Sequence, residues 1–284
     1  MTDPVRPRAP QFGGDGFTGH RARKRFSQNF LVDRGVIERI VAAIAPRPGE
    51  RIVEIGPGRG AITELLIESG CDLTVIEIDR DLAHGLRVRH PDLAIVDGDA
   101  LKVDYGALFD DDAPYRVVGN LPYNISTPLL FRLLDHAAFV SDAHFMLQDE
   151  VVQRLGAGPG EKAWGRLGVM VQYRCGVERL FGVSQDAFAP RPQVRSRIVR
   201  LEPFAELPCP ARDERTFEHV VRAAFSQRRK TLRNGMRTLP GEAAPRLAAL
   251  EAAGVDLGVR PETLGVEAFV GLANALTDAG LGVD

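Results

Sequence analysis

The chain has 284 residues, 44% hydrophobic and 26% charged, with a formal net charge of -2. These are ordinary globular values, long enough for one large domain or a large one plus a small one, and no apolar run approaches the roughly eighteen residues of a membrane span. Cys71, Cys175 and Cys209 are odd in number and scattered without CxxC spacing, which argues against a disulfide framework and a zinc site and fits a reducing cytoplasm.

The first twenty residues are rich in Gly and Pro and lack the apolar segment of a secretory signal, so a disordered arm over 1–20 is expected. Basic residues gather at Arg21, Arg23, Lys24 and Arg25, and again at Arg228, Arg229, Lys230, Arg233 and Arg237. Such clusters are commonly solvated faces, but a near-neutral average also hides patches able to meet nucleic acid.

Asp33 is placed to cap a helix with Val36, Ile37, Ile40, Val41 and Ile44 at helical spacing, and Pro46 and Pro48 stop it. An alternation follows. RIVEI reads as a strand, AITELLIES as a helix, LTVIEID as a strand, Arg80 to His90 as a helix, then LAIVDGD and YRVVGN as strands. A helix from Ser126 to His136 is expected with Ser126 or Thr127 as its cap, HFMLQ is a fifth strand, Glu150 opens another helix, and VMVQYRC and VRSRIVRLE read as the last strands. Alternating strands and helices imply a doubly wound α/β fold with a mostly parallel sheet. Only the loop SQDAFAPRPQ joins the last two strands, so an antiparallel hairpin is expected at one end. Beyond a proline-marked linker at 203–210 the periodicity is helical only, over Thr216 to Phe225, Lys230 to Thr238, Ala243 to Ala253 and Glu267 to Ala279.

EIGPGRGAI stands between the first strand and first helix, where a parallel sheet presents backbone amides and a helix N-terminus. Gly56, Gly58 and Gly60 fit ExGxGxG and also the looser dinucleotide pattern. Glu77, nineteen residues after Gly58, is positioned to accept both hydroxyls of a ribose, and Asp99 in DGDA to accept from an adenine amino group. This points to an adenosine-containing cofactor and leaves NAD and S-adenosylmethionine both open.

Asn120, in GNLPYNIS after the fourth strand, faces the same crevice. An exocyclic amine on a base is a poor nucleophile because its lone pair is delocalised into the ring. Two acceptors gripping its hydrogens, the Asn120 side-chain oxygen and the Leu121 carbonyl, would draw the nitrogen towards tetrahedral geometry and free that pair. Tyr123 would stack on an extruded base, a contact worth about 1 to 3 kcal/mol.

ExGxGxG at Glu54, NLPYNIS at Asn120, RFSQNFL at Arg25, HFMLQDEV at His144, AFAPRPQVRS at Ala187 and SQRRKTLRN at Ser226 together resemble the bacterial ribosomal RNA small subunit adenine dimethyltransferases, the KsgA/RsmA family, from about Arg21 to the end. The resemblance implies a seven-stranded Rossmann-like class I methyltransferase domain over 21–202 and a small helical C-terminal domain over 211–284 that contributes to rRNA binding. It implies methyl transfer from S-adenosylmethionine, leaving S-adenosylhomocysteine and using no metal, to N6 of two adjacent adenosines in a hairpin loop near the 3′ end of 16S rRNA. The expected partner is the small (30S) subunit late in ribosome biogenesis, met by a cytoplasmic monomer. Carried over by motif, Asn29, Leu31, Gly56, Glu77, Asp99 and Asn120 bind the cofactor, and Asn120, Leu121, Tyr123 and Phe188 form the catalytic group, Phe188 as a second aromatic wall opposite Tyr123. Arg23, Lys24, Arg25, Arg228, Arg229 and Lys230 are candidates for rRNA phosphates. Ser27 stands where the family usually has Gly, which touches only the local turn. Three rivals are a nicotinamide-dependent oxidoreductase, which leaves NLPY without work, an RNA chaperone with a vestigial cofactor site, and a resistance-type methyltransferase acting on large-subunit rRNA.

Overall fold

The computed structural model describes residues 29–111, 113–227 and 230–283. The expected arm, Arg23, Lys24, Arg25 and Ser27 lie outside the described residues, as do Arg228 and Arg229.

A short strand β1 (Phe30–Leu31) leads into helix α1 (Arg34–Ile44), whose first turn is capped by Asp33 Oδ1 accepting from Val36 N at 3.0 Å. Ile37, Ile40 and Ile44 form its buried stripe. The helix ends on Ala45, which takes a left-handed φ of 49° while its N–H reaches Val41 O, and Pro46 follows with no amide to continue the ladder.

Then come β2 (Arg51–Ile55), α2 (Thr63–Glu68), β3 (Asp72–Glu77), α3 (Arg80–Arg89), β4 (Ala94–Asp97), β5 (Tyr115–Asn120), α4 (Ser126–Leu134) and β6 (Val140–Gln148). Helices α5 (Asp149–Leu155) and α6 (Arg166–Arg174) precede β7 (Cys175–Val183), the short β8 (Phe188–Ala189) and β9 (Ser196–Pro203). The main sheet has seven strands in the order β4-β3-β2-β5-β6-β9-β7, parallel wherever β2 to β6 pair and closed by the antiparallel hairpin of β7 and β9. Ile52, Val53, Val75, Val117 and Val118 are fully buried, as expected for strands covered on both faces. Strand order reverses between β2 and β5, which sets a crevice at their carboxyl ends.

Two local expectations are corrected. VMVQYRC is not a strand; Val169 to Arg174 belongs to α6, and the strand is the following CGVERLFGV. Gly168, Val169, Met170, Val171 and Tyr173 are all buried, a nearly continuous run too short to show a helical period in the sequence. Helix α4 also lacks the expected cap: Ile125 is its N-cap, without a side-chain bond, and Ser126 Oγ instead donates to Tyr123 O at 3.1 Å.

The chain divides into two compact units. One holds the described residues up to Gln148 with Phe181–Ile198, the other Asp149–Leu180 with the described residues from Val199 on, the division falling within β7 and β9. The second unit contains α5, α6, α7 (Glu214–Ala224), α8 (Leu232–Met236), α9 (Ala243–Ala252) and α10 (Val266–Asp278). Its centre is aromatic: Tyr173 meets Phe217 with ring centroids 4.3 Å apart, and Phe225 meets Phe269 at 5.6 Å. Those contacts explain why Asp149–Leu180 groups with the later helices and not with the strands before it. Trp164 Nε1 donates to Leu264 O at 2.9 Å, tying the loop before α6 to the segment before α10.

Candidate active site

Past the carboxyl end of β2 the chain enters the glycine loop, with φ of 68° at Gly56, 58° at Gly58 and 83° at Gly60. Gly58 shows why the pattern is needed: its φ is left-handed, and a Cβ there would lie 3.3 Å from the Phe30 ring. Its N–H donates to Glu77 Oε2 at 3.2 Å, while Glu77 Oε1 accepts from Asp79 N at 2.9 Å. The carboxylate at the end of β3 is thus fixed by two backbone amides. Burial, which outweighs those bonds, pushes Glu77 up to about 7.

These groups line a cavity of about 340 Å³, within the size range of cofactor sites. Asn29, Leu31, Gly56, Glu77, Asp99 and Asn120 all line it, together with Leu121 and Tyr123. Asp99 Oδ1 accepts from Leu101 N at 3.0 Å, which turns the loop after β4 towards the cavity. Phe188 is placed differently. It lies on β8, 5% exposed, opposite Leu31 in the antiparallel β1–β8 pair, and is not among the cavity-lining residues.

Asn120, the last residue of β5, donates from Nδ2 to Asn29 O at 3.3 Å. A backbone carbonyl can only accept, so this contact decides which end of the amide is which: the nitrogen is turned to Asn29 and Oδ1 is left to accept from a ligand. Leu121 is buried, with its N–H given to Met146 O at 3.2 Å. Pro122 to Ile125 then make a turn, with Ile125 N donating to Pro122 O. Tyr123, half-buried on that turn, places its hydroxyl 2.7 Å from Ser196 Oγ. Its phenol is raised above the ordinary range by burial and stays neutral.

Several lining residues had no role in the sequence reading. Ile78 is 47% exposed on the cavity between Glu77 and Asp79, an apolar side chain left facing solvent where a planar ring would cover it. Its signal was an apolar residue between two acids just past a strand. Glu54, recognised only as part of the loop pattern, is 2% exposed, accepts from Thr63 Oγ at 2.6 Å, and is pushed by burial up to about 7. Arg59 lies over the Phe30 ring at 4.5 Å, and Arg89 Nη2 donates to Arg59 O, which braces the loop from behind.

Of the described candidates for phosphate contact, Lys230 is exposed. Among the described residues no group of three or more His, Cys, Asp or Glu side chains could hold a metal ion, and no helix is long and apolar enough to cross a membrane.

The family model described as ribosomal RNA adenine dimethylase matches residues 19–278. The ribosomal RNA small subunit methyltransferase A of Pseudomonas aeruginosa is 56% identical over 262 residues, covering 91% of this chain and 96% of that one. The protein of the same name from Chromohalobacter salexigens is 54% identical over 266 residues, covering 91% and 93%. Among solved structures, a dimethyladenosine transferase from Plasmodium falciparum shares the fold with a TM-score of 0.75 at 24% identity, covering 89% of this chain and 99% of that one. The 23S rRNA methyltransferase ErmE superposes with a TM-score of 0.65 at 29% identity, covering 88% and 100%.

Proposed function

The chain belongs to the ribosomal RNA adenine dimethylase family, and from that premise we propose that it dimethylates N6 of two adjacent adenosines in a hairpin loop near the 3′ end of 16S rRNA, within the 30S subunit. It is an rRNA adenine dimethyltransferase dependent on S-adenosylmethionine. Action as a metal-free cytoplasmic monomer, late in subunit assembly, completes the proposal.

The residues present fit the cofactor. Glu77 offers a buried carboxylate for vicinal hydroxyls, Asp99 an acceptor for an amino group, Ile78 an apolar face for a purine, and the Gly56 turn close backbone approach. Asn29 and Leu31 line the same cavity from β1. Bound there, S-adenosylmethionine supplies an activated methyl group and leaves as S-adenosylhomocysteine.

The observation that carries the reading is the Asn120 to Asn29 hydrogen bond, which aims an amide oxygen at the space beside the cofactor cavity. Asn120 Oδ1 and the Leu121 carbonyl grip the two hydrogens of the adenine amine, and the nitrogen's lone pair turns towards the methyl donor. The proton departs to water without an ionised base, because an alkylated amine is acidic. Tyr123 takes one face of the extruded base, and Phe188, buried on β8 and outside the cavity lining, is assigned the other by its motif alone. The helical C-terminal region, with Lys230, Arg228 and Arg229, and the early group Arg23, Lys24 and Arg25 are assigned to rRNA phosphates, which makes affinity fall steeply with salt.

The test is methyl transfer from labelled cofactor to small subunits purified from a strain lacking these modifications, with the modified bases mapped. Incorporation at two adjacent adenosines of the small-subunit RNA is expected. No incorporation into small subunits, with incorporation into 23S rRNA offered in a parallel reaction, would overturn the substrate assignment in favour of an ErmE-like activity.

Glu77 gives a second expected result. In the free protein its carboxyl titrates at about 7, whereas the unfolded chain ionises in the ordinary range, so this burial destabilises the empty fold as pH rises through that window. Ribose hydroxyls donate to the ionised form, so binding must release the proton when pH is below about 7. Affinity for S-adenosylhomocysteine, measured by calorimetry, should therefore strengthen about tenfold between pH 6 and 8, with proton release at the lower end. Glu77→Gln should bind weakly with a flat profile; an unchanged slope in that variant would refute the assignment.

A further inference from the structure

The aromatic wall of the site is held at both ends. Tyr123 OH lies 2.7 Å from Ser196 Oγ, and Tyr123 O accepts from Ser126 Oγ at 3.1 Å. Both serines are 1% exposed; Ser196 is the first residue of β9 and Ser126 the first of α4. A half-buried tyrosine facing a cavity is thereby clamped by two hydroxyls that are themselves fixed in regular structure.

We propose that Ser196 is a positioning residue for rRNA methylation, its hydroxyl holding the Tyr123 ring in the orientation that receives the target adenine. The inference rests on the reading of Tyr123 as the base-stacking surface. A tyrosine ring has two soft torsions. Fixing the phenolic oxygen fixes the first, because that oxygen swings with the direction of the whole ring. It also restrains the second, because a phenol's O–H and its accepting lone pair lie near the ring plane, so a strong partner must sit near that plane. The Ser126 bond holds the backbone from which the ring departs. Together they leave one ring face presented before the base arrives, and orientation fixed in advance is not lost again on binding. Burial keeps the phenol neutral, so the pair exchanges one neutral hydrogen bond with no charge to be screened. Deleting Ser196 leaves a half-buried hydroxyl without this partner and a ring free to turn.

The predicted signature is on capture of the RNA, not on the cofactor. Using the full-length enzyme, unmodified small subunits and labelled S-adenosylmethionine, Ser196→Ala should raise KM for the subunit about fivefold, the loss of one ordinary hydrogen bond, with kcat within about twofold. Affinity for S-adenosylhomocysteine should stay at the parental value. Tyr123→Phe removes the same bond from the other side and should show the same KM, and the double variant should be no worse than either single one, since the second deletion has nothing left to remove.

Full additivity of Tyr123→Phe and Ser196→Ala, or parental KM in Ser196→Ala, would overturn the positioning role. So would an effect confined to cofactor affinity. If Ser196→Ala does not fold, Tyr123→Phe decides: a fivefold higher KM supports the role and a parental KM removes it. Tyr123→Ala separates this inference from the reading beneath it. Impairment there with a parental Ser196→Ala sinks only the role of Ser196, whereas a parental Tyr123→Ala sinks base stacking itself.

Discussion

Asn120→Ala is expected to lower methyl transfer by a hundred- to a thousandfold while S-adenosylhomocysteine binds within about threefold of the parental affinity. The asymmetry follows from what the side chain touches. Asn120 Nδ2 bonds Asn29 O, and the oxygen left over is the group that polarises the amine. The cofactor's ribose and adenine ends are assigned to Glu77, Asp99 and Ile78, which reach the cavity from β3 and the loops after β3 and β4 and do not depend on residue 120. Asn120→Asp sharpens the test. A carboxylate keeps an acceptor but offers no donor to the Asn29 carbonyl, so the side chain turns away from Asn29 and transfer falls with the geometry, although an acceptor is still present. Single-turnover transfer to unmodified subunits, with calorimetry for the cofactor, measures both halves. Full dimethylation by the alanine variant would exclude an amine-gripping role for this side chain.

Much of this site was legible because its signals are local. RIVEI is a strand in the structure with the bounds its apolar run implied, since glycine and proline punctuate it on both sides. The loop glycines announce left-handed turns, and a carboxylate closing the next strand falls beside them by topology alone. What stayed hidden depends on partners distant in sequence. Nothing in VMVQYRC distinguishes a buried strand from a short helix with a nearly continuous apolar run; at Gly168, just before it, a Cβ would lie 2.7 Å from Arg154 O and 2.9 Å from the Trp164 ring, a close approach set by partners outside the motif. The Tyr123 to Ser196 bond joins positions 73 apart and leaves no trace in either motif. Serine at a helix start is usually a cap, but the Ser126 hydroxyl is committed to the carbonyl of Tyr123. Ile78 is opaque in the sequence for a related reason: an exposed apolar residue carries meaning only once its surroundings are known.

Gly119→Ala is the second change expected to have a large effect, and it acts through the backbone. Gly119 precedes Asn120 at the end of β5, beside the end of β2, and a Cβ there would stand 2.6 Å from Ile55 O and 3.1 Å from Leu121 Cδ2. The first contact is with main chain in a fully buried parallel pair, Glu54 opposite Val118, so no flexible side chain can move aside. One strand must shift, and either choice damages the site: moving β2 displaces Ile55 and the Gly56 turn that follows it, and moving β5 displaces Asn120. Overpacking of this kind costs about 1 to 3 kcal/mol, with backbone contacts at the upper end, which lowers Tm by several degrees for a unit of this size. The loss should not be confined to stability. At a temperature where the variant is fully folded, methyl transfer should fall at least about tenfold, and S-adenosylhomocysteine should raise its Tm less than it raises the parent's, because the turn and the amide can no longer both hold their places. Asn120→Ala, by contrast, should keep the parental Tm shift with cofactor. A Gly119→Ala protein with parental Tm and parental rate would show that the close approach of β2 and β5 is not what sets the amide over the glycine loop.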